Sequence, residues 1–519
     1  MRPDAALPAP AWWNGRRTLI AVALAMAIPL LWPQIPPLVD LPGHMGRYEV
    51  QLNLASSPVL QSWYGFQWSL IGNLGVDLLV QLFAPLFGLE PTVKAIAIAI
   101  PVMTAAGFLW IAHEVHGRVP PTAFLALPLA YGHPFHFGFI NYSLSMALAM
   151  LAFAMWLRLG RLERLKLRAA LFVPIGLLLW LCHIFGWAVL GVMAFSAETV
   201  RAHDRKGGWF RPLIEGGLMC LPLAPPVALM ILWRTGGVSG QTADWFNWKA
   251  KLAWIQTILR DRWYGFDLAS AGFLVLCLVW AIRNKRVEFS RHLAATALFL
   301  TLVFILLPRI VFGSAFADMR LAPFMMAIAL IAIRPKPGVS VKRLAPIALI
   351  ALAFFTVRLG ATTWSFALYH QRHQQALQTL DHIPREARLI SFVGRNCRVP
   401  WYTNRMEHMP ALALVRRHAF SNDQWNMAGA QLLTIRKSDA PKYVSDPSQL
   451  VSHAKCPSEI WGSLEMSLAR FPRAAYDYVW IIDPPSKVAV PADLVAVWSN
   501  GKDTLYRIER GPGLKGTPQ

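Results

Sequence analysis

The sequence predicts a polytopic α-helical membrane protein of about eleven transmembrane helices, followed by a C-terminal α/β domain. Three observations predict it. Apolar stretches close to the length of a bilayer crossing recur from residue 18 to about residue 360. Only 15% of the 519 residues are charged and 55% are hydrophobic, whereas soluble domains carry roughly a quarter charged residues; the mean hydropathy is +0.40. Finally, the formal charge of +22 is gathered in short loops between apolar runs, the positive-inside pattern. No basic stripe with interleaved aromatics accompanies it, so nucleic acid is not an expected partner.

The first helix covers about 18–34, after Arg16 and Arg17. No small-residue cleavage site precedes "PQIPP", so it reads as an uncleaved helix rather than a removable signal. Four strongly basic loops, "RLGRLERLKLR" (158–168), "RAHDRKGGWFR" (201–211), "RNKRVEFSR" (283–291) and "RPKPGVSVKR" (334–343), are expected in the cytoplasm with the N-terminus. Counting must place all four on one side. The apolar run 71–88 cannot then be a span, because it would put "RLGRLERLKLR" outside. Residues 35–91 instead read as a long periplasmic first loop with helices lying along the membrane. Spans follow at about 92–112, 121–138 and 142–158. The run 169–200 has basic loops at both ends, so it must be two short helices meeting near His183. Further spans are expected at about 212–233, 267–283, 291–307, 321–334 and 344–360, leaving the C-terminus outside. Residues 234–266 form a second periplasmic loop, whose Trp245, Trp248, Trp254 and Trp263 suit a membrane interface.

The first 360 residues thus read as a membrane domain and 361–519 as a periplasmic α/β domain. "ALYHQRHQQALQTLDHIP" reads as a helix stopped at Pro384. "ARLISFVG" (387–394) and "YDYVWIIDPP" (476–485) read as buried strands, and "LVAVWSNGKDTLYRIE" as two strands joined at Asn500-Gly501. Of the five cysteines, Cys182, Cys220 and Cys277 lie in apolar runs as packing residues, and no Cys/His spacing suggests zinc. Cys397 and Cys456 lie in the tail and are open to pairing if that compartment is oxidising.

Parity has a consequence for the ionisable residues near helix ends. Asp40, His44 and Arg47 in "VDLPGHMGRYEV", His133, His136 and Asn141 in "YGHPFHFGFINY", His183 in "LCHIFGW", and Arg309, Asp318 and Arg320 in "PRIVFGSAFADMRLAP" all fall at the outer face. Polar groups at such depth tend to line a cavity. Guanidinium and imidazole groups bind phosphate oxygens, and a carboxylate beside them takes a proton from a hydroxyl. Plainer readings stand beside each. Asp40 precedes Pro42 and suits a helix cap. His44, Arg47 and Gln51 share one helical face, opposite Met45, Tyr48, Leu52 and Ala55, as in an interfacial helix with Arg47 in water. His133 and His136 fit packed interface positions, His183 fits a backbone partner at a kink, and Asp318 with Arg320 fits a structural ion pair.

On these residues the chain resembles the GT-C superfamily of integral-membrane glycosyltransferases. The resemblance covers roughly residues 18–360 and lies in layout: a first helix, an acid just after it (Asp40), a long outer loop, many further helices and an outer C-terminal domain. "YGHPFHFGFINYSLSMALAMLAFAMWLR" and the Asp-x-Arg of "FADMRLAP" are similar to bacterial members. The resemblance implies transfer of a sugar from a polyprenyl-phosphate donor to a glycan, lipid or protein acceptor at the periplasmic face of the bacterial inner membrane. Asp40 would be the general base and the reaction would invert the anomeric carbon. Many relatives carry two adjacent acids here, whereas Leu41 follows Asp40, so no divalent metal or other cofactor is expected. Two other classes use the same polar groups: a transporter or flippase of a lipid-linked anion, and a non-catalytic envelope-assembly protein. The absence of an internal repeat weighs against a transporter.

Overall fold

The computed structural model describes residues 11–208, 210–235, 241–311, 313–395, 401, 403–427, 431–452, 462–485 and 488–510. It is mostly helical, and six helices among the described residues are long and apolar enough to cross a membrane: Leu89–His116, Ile140–Arg161, Leu165–Cys182, Ile184–Arg205, Tyr264–Arg283 and Val341–His382. Phe210–Met219 and Leu221–Trp233, bent by 48°, make a seventh if the pair is one span. The bend follows from Pro222, Pro225 and Pro226, which offer no backbone N–H to the helix ladder. The chain is compatible with a polytopic membrane protein.

The chain divides into two units. The first comprises Met1–Trp32, Leu70–Leu78 and Lys94–Ser365. Proline explains where its helices fall short of the lengths expected from hydropathy. Arg16–Ala25 and Ile28–Leu31 are separated by a turn, with Pro29 at the start of the second piece. Over 121–138 there is no continuous α-helix. A buried 3₁₀ helix, Pro121–Tyr131, contains Pro128. A five-residue helix, His133–Phe137, follows it and ends at Gly138, whose φ of 96° only glycine adopts without strain. The long apolar run does break at His183: Leu165–Cys182 and Ile184–Lys206 meet there, with His183 the one extended residue between them.

Two of the basic loops meet counter-charges on helices. Glu198 takes Arg168 at 2.7 Å and Arg201 at 3.1 Å, and Glu114 takes Arg161 at 2.7 Å. Strands β2 (Val287–Phe289) and β3 (Ile333–Pro335) pair antiparallel, which joins two of the four basic loops at one end of the unit. The shorter apolar helices Arg291–Leu306 and Ala317–Ile331 complete this unit, the second of them buried along nearly its whole length.

The second unit joins Pro33–Ser69 and Leu79–Val93 to Phe366–Gln519. Its centre is a five-stranded sheet in the order β6 (Leu450–Ser452), β4 (Leu389–Arg395), β7 (Tyr478–Ile482), β9 (Asp503–Ile508), β8 (Leu494–Ser499). The first three strands are parallel and the last two antiparallel to their neighbours. The turn between β8 and β9 is at Asn500-Gly501, with Gly501 at φ 85°. A separate ribbon pairs β1 (Tyr64–Phe66) with β5 (Leu433–Ile435). One apolar core unites both parts: Val50, Leu60, Trp63 and Tyr64 pack with Ile390, Phe392, Leu414, Phe420, Val451 and Val479. The predicted span 344–360 and the predicted tail helix are one continuous helix, Val341–Leu377, because only Gly360 interrupts a good helical sequence between them. Cys397 and Cys456 lie outside the described residues.

Candidate functional site

Asp40 occupies the N-cap position of the Leu41–Asn53 helix, yet its side chain makes no capping hydrogen bond. Only its carbonyl serves the helix, accepting from His44 N at 3.0 Å. Pro42 in the first turn costs nothing there, since its missing N–H would have had no intrahelical partner. The approach to Asp40 is held from behind. Arg405 is fully buried, donates through Nη1 to the Pro37 carbonyl at 2.6 Å, and lies over the rings of Tyr369 (4.3 Å) and Phe366 (5.0 Å).

The carboxylate of Asp40 faces the tail. Its Oδ1 stands 3.9 Å from His408 Nε2, and Asp446 Oδ1 stands 3.9 Å from the same nitrogen. His408 Nδ1 is 3.1 Å from the carbonyl of Asp423. A carbonyl only accepts, so Nδ1 carries its hydrogen and Nε2 is the atom presented to Asp40 and Asp446. Trp425 packs against both nearby imidazoles, 4.3 Å from His408 and 5.0 Å from His44. Glycine makes this approach possible. A Cβ on Gly43 would meet Trp425 at 2.7 Å, and one on Gly46 would meet Gln424 at 2.6 Å.

The segment Ser421–Gln424 is polar and wholly buried, and each side chain is used. Asn422 imitates a strand neighbour, accepting from Ser391 N at 2.8 Å and donating to Ser391 O at 3.3 Å. Asp423 accepts from Ala411 N (2.9 Å), Ser421 Oγ (2.7 Å) and Gln424 Nε2 (3.2 Å). Burial raises the Asp423 carboxyl to about 6, although His408 and these donors pull it down. For His408, burial opposes the charged ring, but Asp446, Asp40 and Asp423 together outweigh it and the pKa rises. Burial holds His44 well below the usual imidazole range, and Arg47 and His408 push the same way. The array therefore sets one imidazole whose charged form is favoured by carboxylates beside one whose neutral form is favoured by burial.

Arg47 is 1% exposed. The helix face read from the sequence as open to water is covered, since Gly43 and Gly46 let the tail segment close over it. The remaining predicted residues belong to the first unit. Asn141 is occupied by the backbone, accepting from Val76 N at 2.5 Å and donating to Asn73 O and Asp77 at 2.9 and 3.0 Å. His133 is buried, with its ring 5.9 Å from Phe137, and His136 Nδ1 lies 3.7 Å from Asp261. His183 Nδ1 accepts from Phe185 N at 3.1 Å, an N-cap role. Arg320 lies over Phe139 (4.3 Å), Tyr142 (5.8 Å) and Phe185 (5.9 Å), and the ring of His183 is 5.8 Å from Tyr142, so His183 and Arg320 meet at one aromatic cluster. Asp318 does not take Arg320 as its ion-pair partner; it pairs with Lys251 at 3.4 Å and accepts from Trp254 Nε1 at 3.0 Å. Arg309 pairs with Asp244 at 3.2 Å.

Sequence reasoning missed His408, Asp423, Trp425 and Asp446. The one available signal was the run "SNDQ" (421–424), four consecutive polar residues between Phe420 and Trp425, which reads equally well as a surface turn. No group of three or more His, Cys, Asp or Glu able to hold a metal ion exists among the described residues. The chain matches no protein-family model and no curated protein.

Proposed function

We propose that this protein is a GT-C-type glycosyltransferase of the bacterial inner membrane, transferring a sugar from a polyprenyl-phosphate donor to an acceptor hydroxyl at the periplasmic face. The observation that carries the reading is Asp40. Its carboxylate stands at a helix N-terminus without being spent on the cap, and it faces a fixed imidazole. In the proposed reaction Asp40 accepts the proton of the acceptor hydroxyl as that oxygen bonds to the anomeric carbon. The bond from this carbon to the donor phosphate breaks on the opposite side, which inverts the centre. Cations placed in a water-poor pocket stabilise the leaving phosphate more than they would in water; Arg47 is the candidate cation beside Asp40, and neutral His44 is a candidate hydrogen-bond donor to the same phosphate. His183 and Arg320 carry the same chemistry in the first unit.

The reading also counts the shorter apolar segments Arg16–Leu31, Pro121–Phe137, Arg291–Leu306 and Ala317–Ile331 as spans. With the seven long ones they make eleven, with the N-terminus cytoplasmic and the sheet domain periplasmic. The test is transfer from a polyprenyl-phosphate sugar by purified protein in lipid vesicles. Asp40→Asn is expected to lose at least about 100-fold in rate, the contribution typical of a positioned base. Undiminished transfer by that variant removes Asp40 as base. His183→Ala and Arg320→Ala ask separately whether the first unit holds donor phosphate; unchanged donor affinity in both removes them. Movement of the donor lipid across the vesicle without any glycosidic product replaces the reading with a transporter.

A further inference from the structure

We infer that Asp40, His408 and Asp446 form a proton relay, in which His408 is the positioning residue that carries the proton taken by Asp40 toward Asp446 and solvent. Its use in catalysis rests on the glycosyl-transfer reading; its existence as a proton-sharing array does not.

The geometry has three parts. His408 cannot change its tautomer freely, because Nδ1–H is held by the Asp423 carbonyl at 3.1 Å. Its other nitrogen is equidistant, at 3.9 Å, from one oxygen of Asp40 and one of Asp446. These distances exceed hydrogen-bond length by about 1 Å, the slack common in catalytic sites before substrate closes them. The two carboxylates also differ in exposure. His408 is 4% exposed, Asp40 13% and Asp446 21%, so the water side of the array is Asp446. Asp446 is oriented by Gln449 Nε2, which donates to its Oδ1 at 2.7 Å.

The groups facing His408 come from each neighbouring segment: Asp40 at the helix N-terminus, His44 with Arg47 on the Leu41–Asn53 helix, Glu407 beside it, and Asp423 and Asp446 on the tail loops. Four carboxylates against this one imidazole favour imidazolium at rest, while neutral His44 adds no competing charge. The steps balance. Asp40 takes the hydroxyl proton as the new carbon–oxygen bond forms. The Nε2–H of His408 passes to Asp446, the freed Nε2 lone pair takes the proton from Asp40, and Asp446 releases its proton to water. The array ends as it began, with one proton moved from acceptor hydroxyl to solvent and no co-reactant used.

The experiment labels the histidines with ¹⁵N in the full-length protein in lipid bilayers, assigns His408 by comparison with His408→Gln, and titrates its ring nitrogens by NMR. Asp40→Asn and Asp446→Asn are each expected to lower the His408 midpoint by about one pH unit or more, the effect of removing one close carboxylate. A midpoint unmoved in both variants overturns the relay. The kinetic arm uses wild-type transfer from a polyprenyl-phosphate sugar. There Asp446→Asn, at a partly exposed position that tolerates the change, is expected to lower kcat roughly tenfold with KM unchanged and to move the acidic limb of the pH profile. An unmoved profile overturns the relay and leaves Asp40 as base; a wild-type protein that transfers no sugar overturns the glycosyltransferase reading, and the NMR midpoints alone then decide the relay.

Discussion

Gly43→Ala asks whether the Leu41–Asn53 helix and the Trp425 loop meet as closely as described. The new Cβ would stand 2.7 Å from Trp425 Cη2, 2.9 Å from Cζ3 and 3.0 Å from His408 Nδ1. Carbon atoms in contact sit about 3.5–4.0 Å apart, so the indole must retreat by about 1 Å. It has little room to do so, because His44 and His408 both pack on it. Overpacking of this kind costs about 1–3 kcal/mol, while replacing a helical glycine by alanine returns up to about 1 kcal/mol. The net loss is about 1 kcal/mol. Gly360→Ala is the internal control, since no atom lies within 4 Å of its Cβ position and only the propensity gain remains. The two variants should therefore differ by about 1–3 kcal/mol in opposite directions from wild type. Reversible denaturation of the purified protein in detergent measures this, with the proposed sugar transfer as a second readout that Gly43→Ala alone should depress. Equal stability of the two variants would refute the close packing.

Three further outcomes are expected. Folding raises the Asp423 carboxyl from 3.8 to about 6, so the folded chain binds that proton more tightly than the unfolded chain. The Asp423 contribution to stability should then fall as pH rises from about 4 to about 6 and level off above it. Asp423→Asn should abolish that slope in denaturation midpoints across this range, and a retained slope assigns it to another group. Lys251→Met leaves Asp318 buried without its cation and should cost about 3–5 kcal/mol, seen as lost monodisperse protein on gel filtration; adding Asp318→Leu should recover most of it. Arg405→Lys removes the planar stack on Tyr369 and Phe366 and should lower the thermal midpoint by the equivalent of about 1–2 kcal/mol, whereas an unchanged midpoint would show that a point charge suffices at Pro37.

Much of the helix layout was legible because hydropathy and breakers act locally. The meeting of two helices at His183 followed from basic loops at both ends of one apolar run, and the β8–β9 hairpin from Asn500-Gly501. The helix expected over 121–138 is not continuous, because Pro128 inside the run offers no N–H to an α-helical ladder and the backbone is 3₁₀ there instead. The site was half legible. A lone acid after the first apolar run drew attention to Asp40, but nothing in the sequence near it points to a histidine in the tail. That pairing depends on long-range packing through Gly43 and Gly46, whose role is visible only once Trp425 and Gln424 are placed against them. The solvated reading of Arg47 fails for the same reason: helical periodicity says which residues share a face, not whether a distant segment covers that face.

The discontinuity of the second unit sets a schedule for its biosynthesis. Val50, Leu60, Trp63 and Tyr64 emerge early, whereas the strands that cover them, from Leu389 onward, are translated last. At about 5–20 residues per second, Asp40 waits on the order of 20–70 s for His408 to be synthesised. During that interval a sticky half-core stands uncovered while the apolar helices between are synthesised one after another. A chain interrupted between its last predicted span and its final strands would carry every predicted span and still have no finished cradle around its first acid.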